Sequence, residues 1–266
     1  MGREQAKALM ERWSWIQRVR PMVLGVRVAD LLVPGRRTIV SGSEGLSYYV
    51  DPLNHLGHLL VSDGQYEPET ESYLRRLLQA GDSFLDVGAN EGYFSVLAAS
   101  VVGAEGYVAA VEPQGRLCEI IRINLALNGA NGAVFHGALG GAKGASTELF
   151  HSPALNTGYS SVVKRPRFTR SSERVAFLDP AELLGGRDAF ALVKVDVEGV
   201  EDRVVESLLP LLQQGKVKAL LLDYHASILK ERGVEPAAIE QSVVAAGMKL
   251  VGEYAGFGDY RLYVAG

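Results

Sequence analysis

From residue 83 onward, apolar residues alternate between short continuous runs and longer stretches that repeat at helical spacing. The runs at 83–87, 107–111, 132–136, 190–195 and 217–223 are bounded by turn-forming residues and predict buried strands. The stretches at 93–102, 115–128, 200–213 and 236–246 predict helices. Strand and helix taking turns in this way imply parallel strands joined by right-handed crossovers. The chain ends in two strand-like segments, 249–254 and 260–264, separated by Gly256, Gly258 and Asp259. A hairpin there sets one strand antiparallel to the rest. The whole pattern predicts an α/β fold with a mostly parallel seven-stranded sheet.

Residues 1–65 lack this rhythm and predict an N-terminal extension, a helix plus short strands at 38–40 and 47–50, before a main domain at 66–266. A helix over 66–80, with Pro68 near its first turn, leads into the sheet. In the middle, strands at 147–150 and 174–178 flank a long polar loop. It carries Asn156-Thr157-Gly158-Tyr159-Ser160-Ser161 and a basic run at 164–170. A loop of that length in an α/β domain predicts a lid or binding loop.

Composition excludes several classes. With 47% apolar and 22% charged residues the chain is neither fibrous nor disordered. Its single cysteine, Cys118, forms no disulfide within the chain and falls in the apolar pattern of a helix, as a small buried hydrophobe. No apolar run approaches the roughly 20 residues of a membrane-spanning helix, and the first 30 residues lack a signal-peptide core. The expectation is a cytoplasmic protein. Residues 1–40 hold eight Lys or Arg against three acids, whereas the remainder holds nineteen against twenty-eight. The basic leader, with Trp13 and Trp15, predicts a cap on the sheet or pairing with a second copy in a homo-oligomer, and secondarily a peripheral contact with an anionic membrane. An acidic remainder argues against a nucleic-acid substrate.

The most informative stretch is Asp86-Val-Gly-Ala-Asn-Glu-Gly-Tyr93, between a predicted strand and a predicted helix. Gly88 and Gly92 allow a tight turn and close backbone approach, and Asp86 and Asn90 supply polar side chains at the same rim. Glu112 ends the next strand, where an acid accepts hydrogen bonds from ribose hydroxyls. The G-x-x-x-G spacing departs from the G-x-G-x-x-G of pyrophosphate binders. It therefore favours S-adenosylmethionine over a nicotinamide cofactor.

Two further strand ends carry charge. In Lys194-Val-Asp196-Val-Glu198, alternation puts Lys194, Asp196 and Glu198 on one side if the strand continues that far. Asp223 and His225 share a face at the end of the following strand. His225 is the candidate general base, with a pKa near working pH. Lys194, Asp196 and Glu198 are the candidate residues for orienting substrate and stabilising charge. Asp196, Asp223 and His225 are the alternative ligand set for a divalent metal such as magnesium.

Taken in order, these motifs resemble the FkbM-type S-adenosylmethionine-dependent methyltransferases. The resemblance rests on Y-E-P-E at 66–69, D-V-G-A-N-E-G-Y-F-S at 86–95, V-E-P at 111–113, Asn124 and Asn128, T-G-Y-S-S at 157–161 and K-V-D-V-E-G at 194–199. It implies a Rossmann-like class I methyltransferase fold and O-methylation of a sugar, glycan or natural-product hydroxyl. Cofactor contacts are implied at Glu67, Asp86, Gly88, Asn90, Gly92, Glu112, Ala138 and Asp196. The alternatives are a nicotinamide-dependent oxidoreductase and a non-catalytic scaffold subunit with a retained cofactor fold.

Overall fold

The fold is taken from a computed structural model that describes residues 3–19, 22–42, 45–151, 172–255 and 258–266. The Thr157–Ser161 motif and the basic run at 164–170 lie outside the described residues.

The central sheet is built on β3 (Ser83–Val87), β4 (Tyr107–Glu112), β5 (Ala133–His136), β8 (Leu192–Val195) and β9 (Ala219–Asp223), all parallel. Every residue of β3, β8 and β9 is buried, as expected for strands covered on both faces by helices. α5 (Tyr93–Val102), α6 (Gly115–Leu127), α7 (Glu201–Gln213) and α9 (Pro236–Ala245) supply the cover. β10 (Met248–Ala255) and β11 (Asp259–Ala265) form the expected hairpin, and β11 runs antiparallel to β9. The strand order is β10-β11-β9-β8-β3-β4-β5. The chain runs outward from β3 to β5 and returns at β8, so β3 and β8 flank a switch point. Ligands of open α/β sheets bind in the crevice at such a point, beyond the carboxyl ends of the strands.

Two short helices escaped the apolar pattern: α3 (His55–Ser62) and α8 (Ala226–Glu231). α3 follows a turn, α8 follows β9 after two residues, and each is too short for periodicity to stand out. The helix expected over 66–80 is α4, Pro68–Leu77, which starts late because Glu67 sits at φ +46°. A second antiparallel pair, β6 (Ser146–Phe150) with β7 (Ser172–Ala176), lies apart from the main sheet.

The N-terminal extension folds onto the sheet. Its α1 (Arg3–Trp13) packs on α3 and on β1 (Thr38–Ser41), which pairs with β2 (Ser47–Val50). Ala6, Met10, Val40, Tyr48 and Val50 share one buried cluster with Phe84, Phe94 and Leu97, so a continuous core crosses residue 65. Polar anchors fix the arrangement. Asn128 accepts from Ser47 N–H at 2.8 Å and donates to its carbonyl at 2.7 Å, as a neighbouring strand would. Asn124 accepts from Tyr49 N–H and donates to the Glu91 carbonyl. Glu91, fully buried, takes two hydrogen bonds from Arg37 at 2.8 and 3.1 Å and one from Asn54 at 2.6 Å. These motif residues therefore hold the extension in place.

Glu91→Ala would remove the carboxylate that the partly buried Arg37 guanidinium and the buried Asn54 amide donate to. It is expected to cost about 3–5 kcal/mol in urea denaturation, and a loss below about 1 kcal/mol would contradict the anchor.

Candidate functional site

A cavity of about 300 Å³ opens at the carboxyl ends of β3, β4, β8 and β9. Of the residues singled out in the sequence, Glu67, Gly88, Asn90, Glu112, Ala138, Asp196, Glu198, Asp223 and His225 line it. Asp86, Gly92 and Lys194 are buried in the protein behind this wall.

The glycine turn does different work from that expected. Gly88 N–H and Ala89 N–H both donate to the Val111 carbonyl, at 3.0 and 3.1 Å, which locks the turn onto β4. Gly88, at φ +84°, is needed because a Cβ there would overlap the Asp196 carbonyl oxygen, where the turns after β3 and β8 meet. At Gly92, φ +81°, a Cβ would press on Ile121 of α6. Both glycines thus serve packing, and the backbone donors of residues 88 and 89 are already used. What faces the cavity is Asn90, a non-glycine residue at φ +52° whose buried Oδ1 has no partner. The left-handed backbone and the orphaned acceptor make Asn90 a candidate binding position.

Glu112 lies across from it. Its two oxygens accept from Asn90 N–H and Gln114 N–H, both at 2.8 Å. Burial pushes its carboxyl up to about 8 despite those hydrogen bonds. Glu67 accepts from Tyr260 Oη at 2.8 Å and Thr70 Oγ1 at 3.1 Å, and burial together with Asp196 raises its pKa. Ala138 joins the wall through its bridge to Phe177.

The acidic end is built from loops rather than from a continuing strand. β8 stops at Val195, so Asp196 and Glu198 stand on the turn into α7. Lys194 Nζ sits 2.9 Å from Asp196 Oδ2 and 4.8 Å from the centre of the Phe94 ring, with 1% of its side chain exposed. It is enclosed by protein and stands behind the cavity, so its expected contact with substrate does not arise. Burial raises the Asp196 carboxyl, but Lys194, aided by His225, outweighs it and leaves the group below its ordinary value. Asp86 accepts from Ser95 Oγ at 2.6 Å, and its burial raises it.

His225 caps α8, and its Nδ1 lies 2.6 Å from Glu201 Oε1. A carboxylate accepts only, so Nδ1 carries a proton. Burial would lower the imidazole, but the Glu201 hydrogen bond and then Glu198, Asp196 and Asp223 raise it to about 10. This corrects the expected pKa near working pH: at pH 7 the ring is an imidazolium. Asp223 accepts from Asp259 N–H at 2.8 Å, and burial plus the Asp196 charge push its carboxyl to about 7.

Glu201 was missed by sequence reading. It opens α7, where an acid at a helix start looks like ordinary dipole compensation, and only the fold brings His225 to it. His55 and Leu56 of α3 also line the cavity, so the extension contributes to the pocket.

A seven-stranded Rossmann-like sheet whose C-terminal hairpin sets β11 antiparallel beside β9 is the class I methyltransferase fold. The model of the methyltransferase FkbM domain matches residues 86–250. That is more than half of the chain, and the chain belongs to this family. It is an S-adenosylmethionine-dependent methyltransferase, and the oxidoreductase and scaffold alternatives are set aside. Among curated proteins, none matches. Similar solved structures include a candidate rRNA methylase from Clostridium thermocellum, 8% identical over 74% of this chain and 93% of its own, TM-score 0.49. A candidate O-methyltransferase from Klebsiella pneumoniae is 15% identical over 97% and 99% of the two chains, TM-score 0.48. The fibrillarin pre-rRNA processing protein of Methanococcus jannaschii is 13% identical over 87% and 83%, TM-score 0.46. No helix among the described residues is long and apolar enough to cross a membrane.

The Glu112 shift has a signed consequence. The folded state holds a proton, up to about pH 8, that the unfolded carboxyl releases near 4.5. Stability from this group therefore falls as pH rises between those values. The melting temperature of Glu112→Gln, compared with wild type, is expected to improve from pH 5 to about pH 8 and to level off above that in thermal scans. A constant difference would contradict the shift.

Proposed function

We propose that the protein transfers the methyl group of S-adenosylmethionine to a hydroxyl of a sugar, glycan or other polyhydroxylated natural product. The observation that carries this reading is one cavity with two unlike ends. At one end Glu112 and Asn90 offer acceptors to a ribose, and at the other Asp196, Glu198 and Asp223 surround a charged His225.

The cofactor end fits its ligand. Glu112 accepts from ribose hydroxyls, and Asn90 Oδ1 gains the donor it lacks in the chain alone. Glu67, Gly88 and Ala138 extend that wall, while Asp86 and Gly92 act from behind it by shaping the turn. Bound S-adenosylmethionine supplies a methyl group already activated on a sulfonium, so the protein's task is to place an oxygen in line and remove its proton.

His225 donates Nε2–H to the acceptor oxygen and stabilises the negative charge that develops there. The hydroxyl proton passes to a carboxylate. Asp223, held at about 7, is the better placed in pKa, and Glu198 is the second. Lys194 fixes Asp196 from behind and is a positioning residue. A pocket edged by carboxylates repels a polyphosphate backbone and welcomes a neutral polyol, which favours small acceptors or glycans over nucleic acid.

The test is methyl transfer from labelled cofactor to a panel of sugars, glycans and hydroxylated natural products. His225→Ala is expected to leave S-adenosylhomocysteine affinity within about twofold and to lower turnover at least about a hundredfold. Glu112→Ala is expected to raise its Kd at least tenfold, about 1.4 kcal/mol. Unchanged turnover in the first variant, or label found only on nitrogen or carbon, would overturn the reading.

A further inference from the structure

The geometry points to a divalent-cation site formed by the carboxylates of Asp196 and Asp223 and the Nε2 atom of His225. One ligand atom from each of the three lies within 4.8 Å of the others. An ion at about 2.1–2.4 Å from each donor bridges a pair up to about 4.8 Å apart, so each pair of these atoms lies within the span of one cation.

Two observations beyond this proximity point to a ligand. The first is Asp223 Oδ2. The side chain is 9% exposed, Oδ1 accepts from Asp259 N–H, and Oδ2 takes no hydrogen bond among the described residues. Its charged neighbour is His225 Nε2 at 3.9 Å, while Glu198 Oε1 is 3.7 Å from the same nitrogen. Both distances are too long for hydrogen bonds, but the Asp223 spacing suits two donors sharing one ion. The second is the support behind the ring. Glu201 is fully buried and accepts from Nδ1 at 2.6 Å and from the His225 backbone N–H at 3.2 Å. This turns Nε2 towards the two aspartates, and its other oxygen is buried without a partner. A metal-binding histidine commonly donates its second ring nitrogen to a carboxylate in this way.

Two carboxylate oxygens and one imidazole nitrogen suit manganese or magnesium, and the nitrogen tilts the choice towards manganese. The site stands on the same anchors as the fold. Lys194 holds Asp196, the approach of Gly88 to the Asp196 carbonyl fixes the turn, and β9 carries Asp223 to the edge of the crevice. The role of the ion rests on the proposed acceptor end, whereas its binding does not. Binding of the ion would displace the Nε2 proton to solvent while Nδ1–H stays on Glu201. The ion would then hold the acceptor oxygen in place of the imidazolium, Asp223 would be committed as a ligand, and Glu198 would remain to take the hydroxyl proton.

The experiment is a titration of the full chain with manganous ion, without cofactor or acceptor, followed by electron paramagnetic resonance of the free ion. One saturable site per chain is expected, displaced by excess magnesium. Electron spin echo modulation should report one directly bound imidazole nitrogen, lost in His225→Ala. Asp223→Asn is expected to weaken binding at least about tenfold, and Glu201→Gln about tenfold through the loosened ring. S-adenosylhomocysteine binding by each variant checks its fold. Absence of saturable binding in wild type, or binding without the nitrogen signal, would overturn the site. Because no acceptor enters the measurement, such a result leaves the methyl-transfer reading to its own test.

Discussion

One buried ammonium holds this site together. Lys194 Nζ lies 2.9 Å from Asp196, over the ring of Phe94, and within electrostatic reach of Asp86 and Glu67. Those three carboxylates come from the ends of β8 and β3 and from the entry to α4. Confined together without a cation they would repel one another in a region that water cannot screen. The lysine remains charged because burial, which lowers it, is outweighed by Asp196 and then Asp86 and Glu67. Its charge lets three acids stand where the sheet opens.

The remaining charge is divided between two functions. Towards β4, Glu112 is satisfied by backbone donors and stays largely protonated at neutral pH, an acceptor held by burial. Towards β9, negative charge exceeds positive: Asp196, Glu198, Glu201 and Asp223 surround one imidazolium. Such a surplus is costly in a folded chain. It is intelligible where a positive centre arrives with a ligand, first the sulfonium of the methyl donor and then the proposed cation.

Much of this was legible in the chain. Every strand of the main sheet, the antiparallel hairpin at its end and the covering helices follow from apolar runs and their periods. The burial of Cys118, whose thiol burial pushes up to about 12, follows from its helix face. The acids at strand ends were visible because charge after an apolar run is unusual. Less legible was what each residue touches. The glycines of the turn are also fitted to Asp196 and Ile121, a contact that comes from a turn about a hundred residues away or from the next helix. Lys194 looked like a site residue and is enclosed, because alternation along a strand says nothing about what covers its end. Glu201 and α3 carried no local signal, and only packing brings them to the pocket.

The most direct test of the account is a crystal structure of the protein with S-adenosylhomocysteine. The account predicts ribose hydroxyls within about 2.6–3.2 Å of the Glu112 carboxyl, a donor of the ligand on Asn90 Oδ1, and the sulfur directed towards Asp196 and His225. A ligand seated away from Glu112, or with its sulfur turned from the acidic end, would contradict it.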